Sequence, residues 1–205
     1  MIGFSIHENR ENKVRQGDKN VNSIEVMVKE HELISRMLKV MRQACYGILN
    51  GEDVCVADLY EMANFVKNYA DGHHHDKEEK FLFKAMEENL GALGKKLIRT
   101  GMLVEHDLGR LYMSDLREAL KKFEAGDDES RLDIIASMIS YTHLLDRHID
   151  KENNVIYTFA ERKLTKEVLD TVHKQTKVYE QEAMNQGIQE QYESQVIHLE
   201  KKYGI

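Results

Sequence analysis

The chain has 205 residues, no proline, 12 glycines, two cysteines and a net charge of −7, long enough to bury one core without disulfide help. An acidic balance, with a pI near 5.8, excludes the basic surface that nucleic acid or an anionic membrane selects. No apolar run approaches the roughly 20 residues of a spanning helix, and the first residues lack a signal peptide's apolar stretch. A cytoplasmic protein is expected, without nucleic-acid or membrane partners, and with Cys45 and Cys55 as reduced thiols outside any CxxC pair.

Without proline, long helices run uninterrupted, and an all-α fold follows. Residues 1–22 are polar and aperiodic and read as a flexible N-terminal arm. Residues 23–163 carry four apolar stripes whose steps alternate between three and four, the spacing of helix faces packed in a bundle. The first begins at a cap, Asn22 or Ser23, and runs Ile24, Met27, His31, Ile34, Leu38, Met41, Cys45 to a turn at Asn50-Gly51-Glu52-Asp53. The second holds Leu59, Met62, Val66, Ala70, His74, Glu78, Phe81 and Ala85. Gly91, Gly94 and Gly101 mark the next connection, after which Met102, His106, Gly109, Met113, Leu116, Leu120 and Phe123 form the third stripe. The fourth is Ile134, Met138, Tyr141, Leu145, His148, Glu152, Val155 and Phe159. Short connections favour antiparallel neighbours, hence an up-down-up-down four-helix bundle. Residues 164–205 form a C-terminal helical extension through Val168, Val172, Tyr179 and then Ile188, Tyr192, Val196, Leu199, Tyr203. It is expected to pack on the bundle or on a partner, a second copy or a redox protein, with His173 and His198 at the surface.

Each of the four stripes carries a histidine at a core position, and two are followed four residues later by a glutamate. Residues four apart lie about 40° apart around a helix and project to one point. A carboxylate in an apolar seam, as Glu152 between Leu145 and Val155, is costly unless paired or bound to a cation. The pattern is duplicated: His31 and His106 stand 75 residues apart, His74 and His148 74, Glu78 and Glu152 74. Imidazoles with carboxylates suit iron, manganese or zinc, and two halves supply ligands for two ions bridged by the glutamates. His75 with Glu79 shows the same spacing, but stepping back from His74 meets Ala70, Val66 and Met62, whereas His75 meets Asp71 and Lys67 or Asn68. His74 and Glu78 are therefore assigned, with His75 an outside candidate and His73 facing solvent.

The phrases Glu30-His31 and Glu105-His106, His74-His75-Asp76-Lys77-Glu78 and His148-Ile149-Asp150-Lys151-Glu152 resemble those of the hemerythrin-like (HHE cation-binding) proteins over residues ~24–162. That resemblance implies a non-heme centre of two iron ions, oxo- or hydroxo-bridged, held by His31, His74, Glu78, His106, His148 and Glu152, with zinc or manganese as substitutes. Two departures from oxygen-carrying hemerythrins stand out. Arg110 occupies the place of a second third-helix histidine, and Glu152 lies four residues after His148 where an Asp at five is expected. The site is thus one imidazole short, leaving an open position or a further ligand. Arg110, which cannot deprotonate, belongs in a rim salt bridge; Gly109 marks either a gap for a small molecule or a close helix contact.

The function expected is binding or sensing of O2, nitric oxide, peroxide or iron itself. Two alternatives are a metal-stabilised interaction module with a structural site, and an enzyme that reduces peroxide or nitric oxide or donates iron for repair. No catalytic triad and no phosphate-cradling glycine loop is present.

Overall fold

The computed structural model describes residues 22–205, so the predicted N-terminal arm, Asn22 apart, lies outside the described residues. Six helices follow one another. They are α1 (Ser23–Leu49), α2 (residues 56–89), α3 (residues 91–124), α4 (residues 131–163), α5 (Lys166–Asn185) and α6 (Ile188–Tyr203). The first four form an up-down-up-down bundle. Cross-helix contacts show the alternation: Cys45 meets Met138 while His31 meets Asn153, and Tyr60 meets Glu124 while Glu79 meets His106.

Local chemistry sets the ends. The Asn22 side chain accepts from the backbone N–H groups of Ile24 and Glu25 at 3.0 and 3.4 Å, satisfying donors that the first turn leaves open. The third helix begins at Gly91, not near Met102 as the glycine spacing suggests. Gly91 has φ +62, a left-handed conformation that only glycine adopts cheaply, and it reverses the chain after a single non-helical residue, Leu90.

Two apolar cores lie along the bundle. One gathers Met37, Met41, Leu59, Phe65, Leu116 and Met138; the other gathers Met27, Leu82, Phe83, Met102, Ile156 and Tyr157. Truncating any one of these, such as Leu116→Ala at 0% exposure, costs about 2–5 kcal/mol. Between the cores every bundle helix presents polar side chains, and that layer is where the chain's chemistry is concentrated.

The C-terminal helices rest on the bundle. Tyr192, Val196 and Leu199 join the first core and Val172 the second. The Arg36 guanidinium donates to both Glu200 oxygens at 2.8 and 2.7 Å, pinning α6 to α1. His198 is exposed as expected, but His173 is half-buried and bonds the Ser23 hydroxyl at 2.9 Å, because α5 crosses the start of α1. Among the described residues no helix is long and apolar enough to cross a membrane.

Candidate metal centre

His31 on α1, His74 and Glu78 on α2, His106 on α3, and His148 and Glu152 on α4 converge in the layer between the cores, each no more than 2% exposed. His75 joins them at 4% exposure, its ring stacked on His106 at 3.7 Å. Two groups of donors result, with atoms within 4.8 Å of one another: His75, Glu78, His106 and His148, and His31, His74, Glu78 and Glu152. Glu78 belongs to both. Its Oε2 lies 3.7 Å from His74 Nε2 and 3.5 Å from His106 Nε2. Glu152 also spans them, with Oε2 3.2 Å from His31 Nε2 and Oε1 3.1 Å from His148 Nε2.

Helical phase placed His75 and His73 wrongly because α2 is not α-helical there. Val66–His75 and Glu78–Phe83 run as wide turns, with the Asp76 N–H reaching back five residues to Asp71. Each residue of an i→i+5 turn advances roughly 80° instead of ~100°. Stepping back five from His75 meets Ala70, which is buried, and five from His74 meets Tyr69, also buried. His74 and His75 therefore both turn inward, whereas five back from His73 stands the exposed Asn68, and it is α5, through Glu180 at 3.3 Å, that covers this third histidine. His73, expected in solvent, is 3% exposed and bonds Glu30 at 3.0 Å. The same widening at Glu152–Ile156 moves Val155 out to 52% exposure and brings Ile156 and Tyr157 into the core.

The five imidazoles share one arrangement. Nδ1 of His31 donates to Asn153 Oδ1 at 2.8 Å, that of His74 to Glu30 Oε2 at 2.8 Å, and that of His75 to Asp71 Oδ1 at 3.3 Å. His106 donates likewise to Glu79 at 2.7 Å and His148 to Glu105 at 2.8 Å. An acceptor on Nδ1 fixes the tautomer and leaves Nε2 as a lone-pair donor aimed at the centre. The duplication extends to these partners. Glu30 and Glu105 each precede a site histidine and hold the histidine of the next helix, while Glu79 and Asn153 each follow a site glutamate and hold a histidine of the other half. His75 with Asp71 breaks the symmetry, since the matching positions are Leu145 and Ile149.

Several donors have no protein partner at all. Nε2 of His31, His74 and His75, Oε2 of Glu78 and both Glu152 oxygens are buried without a hydrogen bond. Buried polar atoms are rarely left so, and bringing them together without a counter-charge is costly. Of the separations given above, 3.1 and 3.2 Å match the polyhedron edges of about 3.0–3.4 Å expected for metal–ligand bonds near ~2.1 Å, and 3.5 and 3.7 Å lie a few tenths of an ångström wider. The residues present thus fit a pair of metal ions.

The protonation of the metal-free layer points the same way. Burial, and then the Glu152 charge, pushes the Glu78 carboxyl well above the usual range. Burial would raise Glu152 as well, but the His148 charge and the nearby His106 and His31 imidazoles hold it well below. His148, which burial alone would lower, is raised to about 9 by Glu152 and Glu105, whereas burial and then the neighbouring His31 bring His74 down to about 4.

Tyr157, which the sequence did not single out, donates its hydroxyl to Glu78 Oε1 at 2.6 Å and stacks on His31 at 5.7 Å. Arg110 makes the expected rim salt bridges, to Asp71, Glu79 and Asp107 at 2.7–2.9 Å. Two of those carboxylates orient His75 and His106, so Arg110 steadies both histidines indirectly. Gly109 packs beside α4 and also borders open space. A Cβ there would meet the Tyr141 ring at 3.4 Å, and the residue lines a cleft of about 260 Å³ that reaches His75 and His106.

This bundle, with its layer of histidines and glutamates, is that of a cation-binding helical protein. The chain belongs to the hemerythrin HHE cation binding domain family, which it matches over residues 22–160. Similar curated proteins from Mycobacterium bovis and from two strains of Mycobacterium tuberculosis are 22% identical over 138 residues, 67% of this chain, and are described only as uncharacterized. The chain spans about half the length of these relatives, 52%. No solved structure matches it.

Proposed function

We propose that the layer holds two iron ions through His31, His74, His75, Glu78, His106, His148 and Glu152, and that the pair binds or senses O2, nitric oxide, peroxide or iron itself. The observation that carries this reading is the common arrangement of the five imidazoles, each tied outward through Nδ1, around carboxylate oxygens that lack partners. An all N/O donor set without thiolate suits iron, with manganese and zinc as substitutes. His75 supplies the imidazole that the six-residue set lacked. Five nitrogens and four carboxylate oxygens still fall short of two six-coordinate ions, which leaves room for a small ligand. Iron, when bound, supplies reversible redox and ligand-binding chemistry. The protein's own residues fix the imidazoles, exclude water with the two flanking cores, and place the Tyr157 hydroxyl proton against Glu78.

A purely structural metal site is closed, whereas here His75 and His106 line an open cleft, which favours small-molecule chemistry over a stabilising role alone. The two free thiols are consistent with a reducing, cytoplasmic setting. Metal analysis of protein from iron-replete cells, with a spectrum in air, tests the proposal. About two irons per chain and a visible charge-transfer band are expected; iron well below one per chain without such a band would refute it.

A further inference from the structure

The cleft beside His75 and His106 is larger than a diatomic ligand requires. An apolar cavity of about 150 Å³ holds benzene, and one water occupies roughly 30 Å³ of liquid; this cleft measures about 260 Å³. Its wall is apolar where Met113, the bare backbone of Gly109 and the ring of Tyr141 meet. Yet the Tyr141 hydroxyl, on a residue 1% exposed, has no hydrogen-bond partner, although buried phenols ordinarily find one. Around the cleft stand Lys67 and Arg117. Arg117 donates only to the Ala63 carbonyl and the Asn64 amide oxygen, at 2.9 and 3.2 Å, and among the described residues neither cation has a carboxylate within 4.0 Å. Arg110, in contrast, is already neutralised by its three carboxylates. Asp71, which also lines the cleft, is engaged by His75 and Arg110, so Lys67 and Arg117 are the lining charges left without an opposite partner among the described residues.

We propose that this cleft is a binding site for a small organic anion, a carboxylate whose apolar body is about the size of one aromatic ring. The anionic group sits at Arg117 and Lys67, the body lies against Met113 and Gly109, and a polar atom on the body meets the Tyr141 hydroxyl. The site is built from α2, α3 and α4 side chains that need no metal to be in place, so it goes beyond the proposed iron chemistry and is testable apart from it.

The test is titration of metal-free and metal-loaded protein with 4-hydroxybenzoate by calorimetry and ligand-observed NMR, with 4-hydroxybenzyl alcohol as the uncharged analogue. Saturable binding of the acid is expected in both forms. It should weaken about tenfold in Arg117→Gln, where a charged hydrogen bond is lost, and about fivefold in Tyr141→Phe. Tyr141→Phe removes a partnerless hydroxyl and keeps the ring, so its thermal midpoint should be unchanged or higher, which separates lost binding from lost folding. Absence of saturable binding, equal binding of acid and alcohol, or affinities within about twofold of the parent in both variants would overturn the inference. If the acid binds while iron does not load, the cleft stands and the metal proposal falls; if iron loads and the acid does not bind, the cleft falls and the metal proposal stands.

Discussion

Replacing His75 with leucine separates a ligand from a packing residue. His75 is 4% exposed, stacked on His106 at 3.7 Å, bonded through Nδ1 to Asp71 at 3.3 Å, and unpartnered at Nε2. In the metal-free protein the exchange removes a buried orphan nitrogen whose desolvation costs about 1–3 kcal/mol and gives up one hydrogen bond worth about 1 kcal/mol. Asp71 keeps Arg110 as a donor at 2.9 Å, and leucine retains most of the apolar bulk. The net change lies between none and a gain of about 2 kcal/mol, and at ~2–4 °C per kcal/mol for a domain of this size the thermal midpoint stays level or rises by up to ~8 °C. In the metal-loaded protein, one donor group loses one of its four residues. Iron content should fall from about two to about one per chain, and the stabilisation on loading should shrink with it. Calorimetry with and without ferrous iron under anaerobic conditions, paired with metal analysis of the same samples, reads both quantities. Two irons retained with undiminished stabilisation would refute ligation by His75. A metal-free midpoint lowered by more than ~10 °C would show that its role is packing.

Tyr157→Phe removes the hydroxyl that donates to Glu78 at 2.6 Å and should weaken iron binding by roughly tenfold, the scale of an outer partner's loss, as measured by competition with a chelator. Glu30→Gln withdraws the charge facing Lys77, which is 1% exposed and otherwise paired with Glu180; a loss of about 3 kcal/mol and a fall of ~6–12 °C in the metal-free midpoint are expected by calorimetry. The pH dependence follows from His148, whose folded pKa is raised to about 9. Its contribution is complete below about 6.5, the unfolded value, and is lost as pH rises through 9, so the metal-free midpoint should decline across that window. Bound metal takes the proton's place, so the decline should be absent from the loaded protein.

How far the sequence could be read depended on whether the helices kept a 3.6-residue period. Where they did, the stripes named core residues such as Met41, Leu116 and Met138 and placed His31 and His106 in the interior. Across the wide turns that logic slipped by one residue, and it did so in both halves. After Glu78 the core passes to Leu82 and Met86, with the predicted Phe81 only half-buried; after Glu152 it passes to Ile156 and Ala160, with the predicted Val155 exposed. His75 escaped assignment for a second reason, since the duplication sets it against Ile149, which cannot ligate. Glu30 and Glu105 were visible as a repeated Glu-His phrase, but their task was not. Each holds a histidine some 43 residues away, a contact that only the packed helices create.

The site's energetics argue that folding and metal loading are linked. Seven ionisable donors sit between two apolar cores, where an unpaired charge is penalised far more than at the surface. Without a cation the layer settles by moving protons. Burial and the charge on Glu152 shift Glu78 toward its protonated form, His148 is held charged beside Glu152, and His74, buried near His31, is held neutral. Metal ions require the opposite state at Glu78 and His148, with Glu78 ionised and His148 neutral. Loading at neutral pH therefore releases a proton from His148 and works against the shift at Glu78, and affinity falls as the medium becomes more acidic. The outer partners make that exchange local. Glu30, Glu79, Glu105, Asp71 and Asn153 keep each imidazole's Nδ1 engaged in either state, so the inner Nε2 lone pairs and carboxylate oxygens can trade protons for metal without the helices having to repack.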